Sequence, residues 1–288
     1  MKYNRLGKSD LNVSEIGFGC MSLPADERSA LDIIHRAIDG GINYFDTADV
    51  YAGGQNEIIV GRALKGVRDK IILASKVGNV VKKDGSPGFD WNPSGQHILA
   101  SIDGTLQRLQ TDYLDLYQLH GGTINDNIDE TIEAFELLKQ QGKIRYYGIS
   151  SIRPNVIKEY IKRSNMVSVM MQYSLLDRRP EEECLDLLHK NNISVVVRGA
   201  LAQGLLAGKP AKPYLGLSAE EVVTTARLMN TRKALGYVLH HPAIASAVVG
   251  IRTGEQLKDV LQPLPELRQE EHRELQASSR ALVYAEHR

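Results

Sequence analysis

Ile16-Gly17-Phe18-Gly19-Cys20-Met21-Ser22 is the stretch that decides between two architectures. Its apolar start reads as a buried strand, and its two glycines suggest a phosphate-binding turn. A doubly wound parallel sheet that holds a dinucleotide carries a third glycine three residues after the second. Ser22 stands at that place instead. The other architecture open to repeated strand–helix units is a closed (β/α)8 barrel, which needs no such fingerprint.

The rest of the chain supplies the units. Ala30, Leu31, Ile33, Ile34, Ala37 and Ile38 recur at helical spacing, which predicts a helix over 30–38 stopped by Gly40-Gly41. Further strands are predicted at 42–45, 71–74, 113–119, 145–149, 168–171, 193–197 and 245–249. Helices are predicted between them at 57–64, 98–109, 131–141, 156–162, 181–190 and 234–239. The strands are near-continuous apolar runs, as expected where both faces of a sheet are covered. Eight strands alternating with helices give a single-domain (β/α)8 TIM barrel over residues 1–288. Residues 2–6 and 11–13 read as a small β-hairpin closing the barrel floor. Residues 78–96, polar and rich in Gly and Pro, are the longest irregular loop.

Composition excludes several functions. The chain has 288 residues, 42% of them hydrophobic, and 35 basic residues balance 35 acidic ones. A net charge of zero offers no footprint for nucleic acid or an anionic membrane surface. The pairs Lys82-Lys83 and Arg178-Arg179 read as solvated loop charges, since phosphate binding needs several clustered cations. Cys20 and Cys184, the two cysteines, have no metal-ligand spacing, so no metal and a reduced, cytoplasmic setting are expected. The polar start is no secretory signal, and the apolar runs fall short of the ~18 residues that span a bilayer.

Chemistry concentrates at the strand ends. Asp46 ends the second predicted strand, Lys76 the third and His120 the fourth, while Tyr51 lies five residues past Asp46. In a barrel of this kind the site lies at the C-terminal ends of the strands. Neighbouring strands are ~4.8 Å apart, close enough for an Asp46–Lys76 ion pair. A phenol titrates near ~10, too high for an efficient proton donor, and an adjacent ammonium lowers that value. Tyr51 is therefore the expected proton donor, Lys76 its activator, Asp46 the partner of Lys76 and His120 the group that orients a carbonyl oxygen.

The segment Phe45-Asp46-Thr47-Ala48-Asp49-Val50-Tyr51, followed by Asn56-Glu57, Gly61 and Leu64, resembles the aldo-keto reductase signature. So do Ile72-Leu73-Ala74-Ser75-Lys76, the run from Thr111 through Leu119-His120, Gly142-Lys143-Ile144-Arg145-Tyr146-Tyr147-Gly148-Ile149-Ser150, Gln172-Tyr173-Ser174 and Gly204-Leu205-Leu206-Ala207-Gly208-Lys209. The chain is most similar to the bacterial general-stress type of that family. The resemblance implies a barrel that binds NADPH/NADP+ in extended form, with NADPH favoured over NADH, and that reduces small aldehydes or ketones, dicarbonyls and aromatic aldehydes among them. The family tetrad falls on Asp46, Tyr51, Lys76 and His120 without substitution.

The resemblance also implies a cofactor site. Gly19, Cys20, Met21 and Asp46 lie beside it, Ser150, Ser151 and Gln172 face the nicotinamide carboxamide, and Arg198 stands where most members stack an aromatic ring. Ser151 replaces a common asparagine. Gly199, Leu201, Gly204 and Leu205 wrap the pyrophosphate. Gly250, Arg252, Gln256 and Asp259 form the adenosine end, with Arg252 on the 2′-phosphate and Val260 in place of a usual asparagine. Trp91 and Leu23 are expected at the substrate mouth. Relative to the family the chain is short near 209–217, 230–231 and 262–263. The fold also serves NADPH-sensing regulatory subunits of the potassium-channel β type, which is the alternative function. A Schiff base on Lys76 is disfavoured because Asp46 beside it raises the lysine pKa.

Overall fold

The computed structural model describes residues 1–82 and 84–288; Lys83 of the expected loop pair lies outside them. In chain order the strands are β1 (Tyr3–Arg5), β2 (Asn12–Ser14), β3 (Ile16–Gly19), β4 (Tyr44–Asp46), β5 (Ile72–Val77), β6 (Asn79–Val81), β7 (Phe89–Trp91), β8 (Leu114–Leu119), β9 (Ile144–Ser150), β10 (Ser168–Gln172), β11 (Ser194–Arg198) and β12 (Ile244–Val249). The helices are α1 (Glu27–Asp39), α2 (Gln55–Ala63), α3 (Gly95–Leu109), α4 (Ile128–Gln140), α5 (Pro154–Arg163), α6 (Cys184–Lys190), α7 (Ala219–Ala226), α8 (Thr231–Leu239), α9 (Gly254–Val260) and α10 (Gln269–Ala277). β3, β4, β5, β8, β9, β10, β11 and β12 close, in that order, into a parallel barrel. This is the (β/α)8 architecture read from the sequence.

Alternation along each strand sorts the core into two sets. Tyr44, Ile72, Ala74, Leu116, Met170 and Val196 point into the barrel and meet Leu6, Leu11 and Val13 from the β1–β2 hairpin. That hairpin is antiparallel, and Asn4 Nδ2 donates to the Ala245 carbonyl at the start of β12, which fixes it at the barrel floor. Gly7, at φ +55°, is held so close to the Val167 carbonyl that a Cβ there would collide with it. Phe45, Leu73, Tyr117, Leu119 and Val197 point outward against the helices.

Caps place the helices. Asp26, Ser94, Asn127, Ser218, Asn230 and Thr253 each accept a backbone N–H in the first turn of a helix. Asn230, where the chain is short relative to the family, caps the start of α8.

Three expectations change. Residues 78–96 are not wholly irregular, because β6 and β7 pair as a second hairpin within them. The helix expected over 181–190 begins only at Cys184, since Glu183 takes a non-helical conformation that separates it from a 3₁₀ turn at Arg179–Glu182. Arg178 and Arg179 are not solvated loop charges. Arg178 pairs with Glu181 at 2.9 Å, and Arg179 makes two 2.7 Å bonds to the fully buried Asp177.

Candidate active site

Register brings the tetrad together. Asp46 pairs with Ala74 on β5, so Lys76 stands one inward position further up the same wall. Lys76 is 1% exposed, and its Nζ bonds Asp46 Oδ1 at 2.5 Å and the Thr47 carbonyl at 2.7 Å. Its third partner is the Tyr51 oxygen at 3.4 Å. Gln118, which pairs with Lys76 in register, donates to the other Asp46 oxygen at 3.2 Å. His120 follows β8, and its ring packs edge-on to Tyr51 with centroids 5.8 Å apart.

The loop bearing Tyr51 is fixed by a hard turn. Ala52, Gly53 and Gly54 all take positive φ, so the chain reverses directly into α2; the left-handed Ala52 carries the strain. Thr47 donates to Asn56 Oδ1, and Asn56 donates to the Cys20 carbonyl, which ties loop and helix to β3. Behind β5, Ser75 donates to the buried Glu57, itself paired with Arg108 at 2.8 Å.

Electrostatics assign states to these groups. Burial works against the Lys76 ammonium, but the Asp46 carboxylate and Tyr51 oxygen outweigh it, and the lysine pKa is raised. Burial pushes the Tyr51 phenol up, and the pull of Lys76 does not reverse this. The expected lowering is therefore corrected: desolvation of the phenolate exceeds the attraction of an ammonium already shared with Asp46. Burial, together with the Lys76 and Arg198 charges, pushes the His120 imidazole down to about 3, so it is neutral at pH 7.

A cavity of about 550 Å³ opens over these groups. Gly19, Met21, Asp46, Ser150, Ser151, Arg198, Gly199 and Gly250 of the expected cofactor set line it. Three of these are glycines on the wall, and a Cβ on Gly250 would run into Ser22 Oγ, so the wall suits a flat group lying against backbone. Gln172 ends β10 just outside. Its amide donates to Asp177 at 2.8 Å and accepts from Arg198 at 2.9 Å.

Other expected residues lie elsewhere. Cys20 is fully buried with its thiol in the core, so its side chain cannot face a ligand. Leu201 and Leu205 pack on the core in and beside the turn at Ala202–Ala207, with Gly204 in the left-handed region between them. Gln256 is occupied by the backbone of its own loop, accepting from the Arg252 N–H at 2.8 Å. The Arg252 side chain is exposed, and Asp259 is half-buried on α9. Leu23 packs on the core and does not line the cavity. Trp91 also stays off its wall: the ring lies on Gly78 and Gly121, and the indole N–H bonds Asp126 at 3.1 Å. Phe89, two residues earlier on β7, lines the cavity instead.

Sequence reasoning missed Gln118, Phe89 and Arg153. Two-residue alternation back from His120 would have found Gln118. Nothing local marks the other two, whose places depend on a hairpin and on a loop from another strand. Among the described residues no group of three His, Cys, Asp or Glu side chains is placed to hold a metal ion, and no helix is long and apolar enough to cross a membrane.

Comparison with known proteins agrees with this geometry. The aldo/keto reductase family model matches residues 15–280. The uncharacterized oxidoreductase YqkF of Bacillus subtilis is 52% identical, with all of both chains covered. That alignment runs over 307 positions, more than the 288 residues of this chain, so the relative carries residues without a counterpart here. The holo form of aldo-keto reductase AKR11C1 from Bacillus halodurans superposes with a TM-score of 0.95 at 52% identity, over 100% of this chain and 99% of that one; the apo form scores 0.87. An NADH-specific methylglyoxal reductase of Escherichia coli is 34% identical, over 75% of this chain and 72% of its own. With its barrel, its mouth tetrad and these relatives, the chain belongs to the aldo/keto reductase family, whose members are nicotinamide-dependent oxidoreductases acting on carbonyl groups.

Proposed function

We propose that this chain reduces small aldehydes and ketones to alcohols with NADPH, Tyr51 giving the proton. The observation that carries the reading is the chain of contacts from Asp46 through Lys76 to the Tyr51 oxygen, with a neutral imidazole facing the phenol. Because its pKa is raised, Tyr51 holds its proton across the neutral range and can release it to a carbonyl oxygen that gains negative charge. Lys76, kept charged by Asp46, stabilises the phenolate left behind. His120 N–H bonds the same carbonyl oxygen and sets its orientation.

Bound at the mouth, the nicotinamide cofactor supplies the hydride. Ser150, Ser151, Gln172, Arg198, Gly199 and Gly250 would hold the nicotinamide end, and residues 199–205 the pyrophosphate. The nearness of this chain to the holo form of AKR11C1 supports a mouth already shaped for a cofactor. Arg252 favours NADPH: its side chain is exposed, so it is available to a 2′-phosphate.

The test is NADPH oxidation at 340 nm with a panel of aldehydes, wild type beside Tyr51→Phe, with NADH run in parallel. The expected result is faster turnover with NADPH and a loss of ~10²–10⁴ in kcat for the variant at unchanged NADPH affinity. Equal rates for both proteins, with NADPH bound, would point instead to a cofactor-sensing module.

A further inference from the structure

Six ionisable side chains line the mouth cavity: Asp46, Tyr51, Lys76, His120, Arg153 and Arg198. Asp46, the one carboxylate among them, is committed to Lys76. His120 and Tyr51 are neutral at pH 7. Two guanidinium groups remain, and among the described residues neither has a carboxylate within ion-pair distance. Arg198 bonds the neutral Gln172 amide, and Asp177, the carboxylate whose charge reaches it, is held by Arg179. Among the described residues the Arg153 guanidinium bonds only a backbone carbonyl, that of Gly122. In a chain of zero net charge this is a local excess of positive charge inside a concave site, which draws an anion.

The two arginines stand on different sides. Arg198 directly precedes Gly199, on the wall assigned to the cofactor. Arg153 follows β9 and reaches to Gly122, two residues past His120, and two residues of chain span at most ~7 Å. It therefore belongs to the side where His120 would hold the carbonyl. Arg153 is also the residue before α5, so the positive end of that helix adds to its field. Its bond to Gly122 uses one of five guanidinium N–H groups and holds the fork in place, leaving the others for a planar anion.

We infer that Arg153 is a substrate-specificity residue, and that the site takes aldehydes or ketones carrying a carboxylate near the carbonyl. This rests on the reductase reading of the same site. Arg153 would fix the carboxylate while His120 holds the carbonyl oxygen, so one molecule spans both.

The experiment compares 4-carboxybenzaldehyde with methyl 4-formylbenzoate, a pair of like size that differs in charge, in wild type, Arg153→Met and Arg153→Lys. Wild type is expected to favour the carboxylate in kcat/KM by about tenfold or more. Arg153→Met should raise KM for the carboxylate by about tenfold and leave kcat/KM for the ester within about twofold. Arg153→Lys should recover part of the loss. Equal or better use of the ester by wild type, or an equal loss on both aldehydes in Arg153→Met, overturns the proposal and leaves Arg153 as a tether between loops. Calorimetric titration of the NADP+-loaded protein with benzoate needs no turnover. Binding that Arg153→Met abolishes upholds the anion site even if Tyr51→Phe shows the reductase reading to be wrong, and no binding to wild type overturns it.

Discussion

Tyr44 and Asp46, Ala74 and Lys76, and Val196 and Arg198 are pairs two residues apart on the same inward faces. The first of each pair joins the apolar plug at the floor, and the second lines the mouth. At the floor, Leu6, Leu11 and Val13 close the barrel with packed side chains. At the mouth, Asp49 Oδ1, Gln118 Oε1 and His120 Nδ1 are buried without a partner, whereas in the plug only the Tyr44 hydroxyl is, and among the described residues two mouth arginines have no carboxylate within ion-pair distance. A hollow of about 910 Å³, larger than the mouth cavity, opens at the floor end beside residues 260–267, so size does not locate the chemistry. The contrast teaches a division of labour. Packing at one end stabilises the fold, while the other end keeps polar groups in costly states that a ligand can use.

The largest effect should come from breaking the mouth. Lys76→Met leaves Asp46 as an uncompensated buried charge, so we expect a loss of ~3–5 kcal/mol, or a Tm lower by about 10 °C, together with loss of turnover. Adding Asp46→Asn should restore most of the Tm and none of the activity. Thermal unfolding and the 340 nm assay read the two properties separately, and a double variant as unstable as the single one would refute the buried-charge account.

Next comes the floor. Leu6 is fully buried, and Leu6→Ala should cost about 2–5 kcal/mol by opening a cavity under the barrel. Turnover below the unfolding temperature should stay within about twofold of wild type. A kcat that fell along with stability would show that the two ends are coupled.

The smallest effect has the opposite sign. Burial first, and the Glu57 charge second, push Asp49 up to about 7 from its ordinary value near 3.8. Between those values the folded protein binds more protons than the unfolded chain, so stability falls as pH rises through that window. Asp49→Asn removes the cost. Its Tm should exceed that of wild type by a few degrees at pH 8 and match it near pH 4. A gain of equal size at both pH values would rule out a titrating carboxylate as the cause.

Much of this was legible in the primary structure because it is local. Apolar runs such as 71–74 and 193–197 name strands wherever they end up, whereas the helix starts capped by Asn230 and Thr253 were not read from the sequence. Asp46, Lys76 and His120 could be placed at one mouth because strand ends in a parallel barrel share a face. The helix start at Cys184 was less legible, since Glu183 is a residue type that helices favour and only its conformation separates the turns.

The sequence by itself determined the barrel, the hairpin at its floor and the family motifs, because periodicity and residue type act over a few neighbouring positions. Only the tertiary structure decided the direction of the Tyr51 pKa, the exclusion of Cys20, Leu23 and Trp91 from the cavity wall, and the presence of Arg153 there. Each of these depends on burial and charge contributed by strands and loops distant in sequence: desolvation outweighs Lys76 at Tyr51, Asp126 holds the Trp91 indole, and the Gly122 carbonyl holds Arg153 at the mouth.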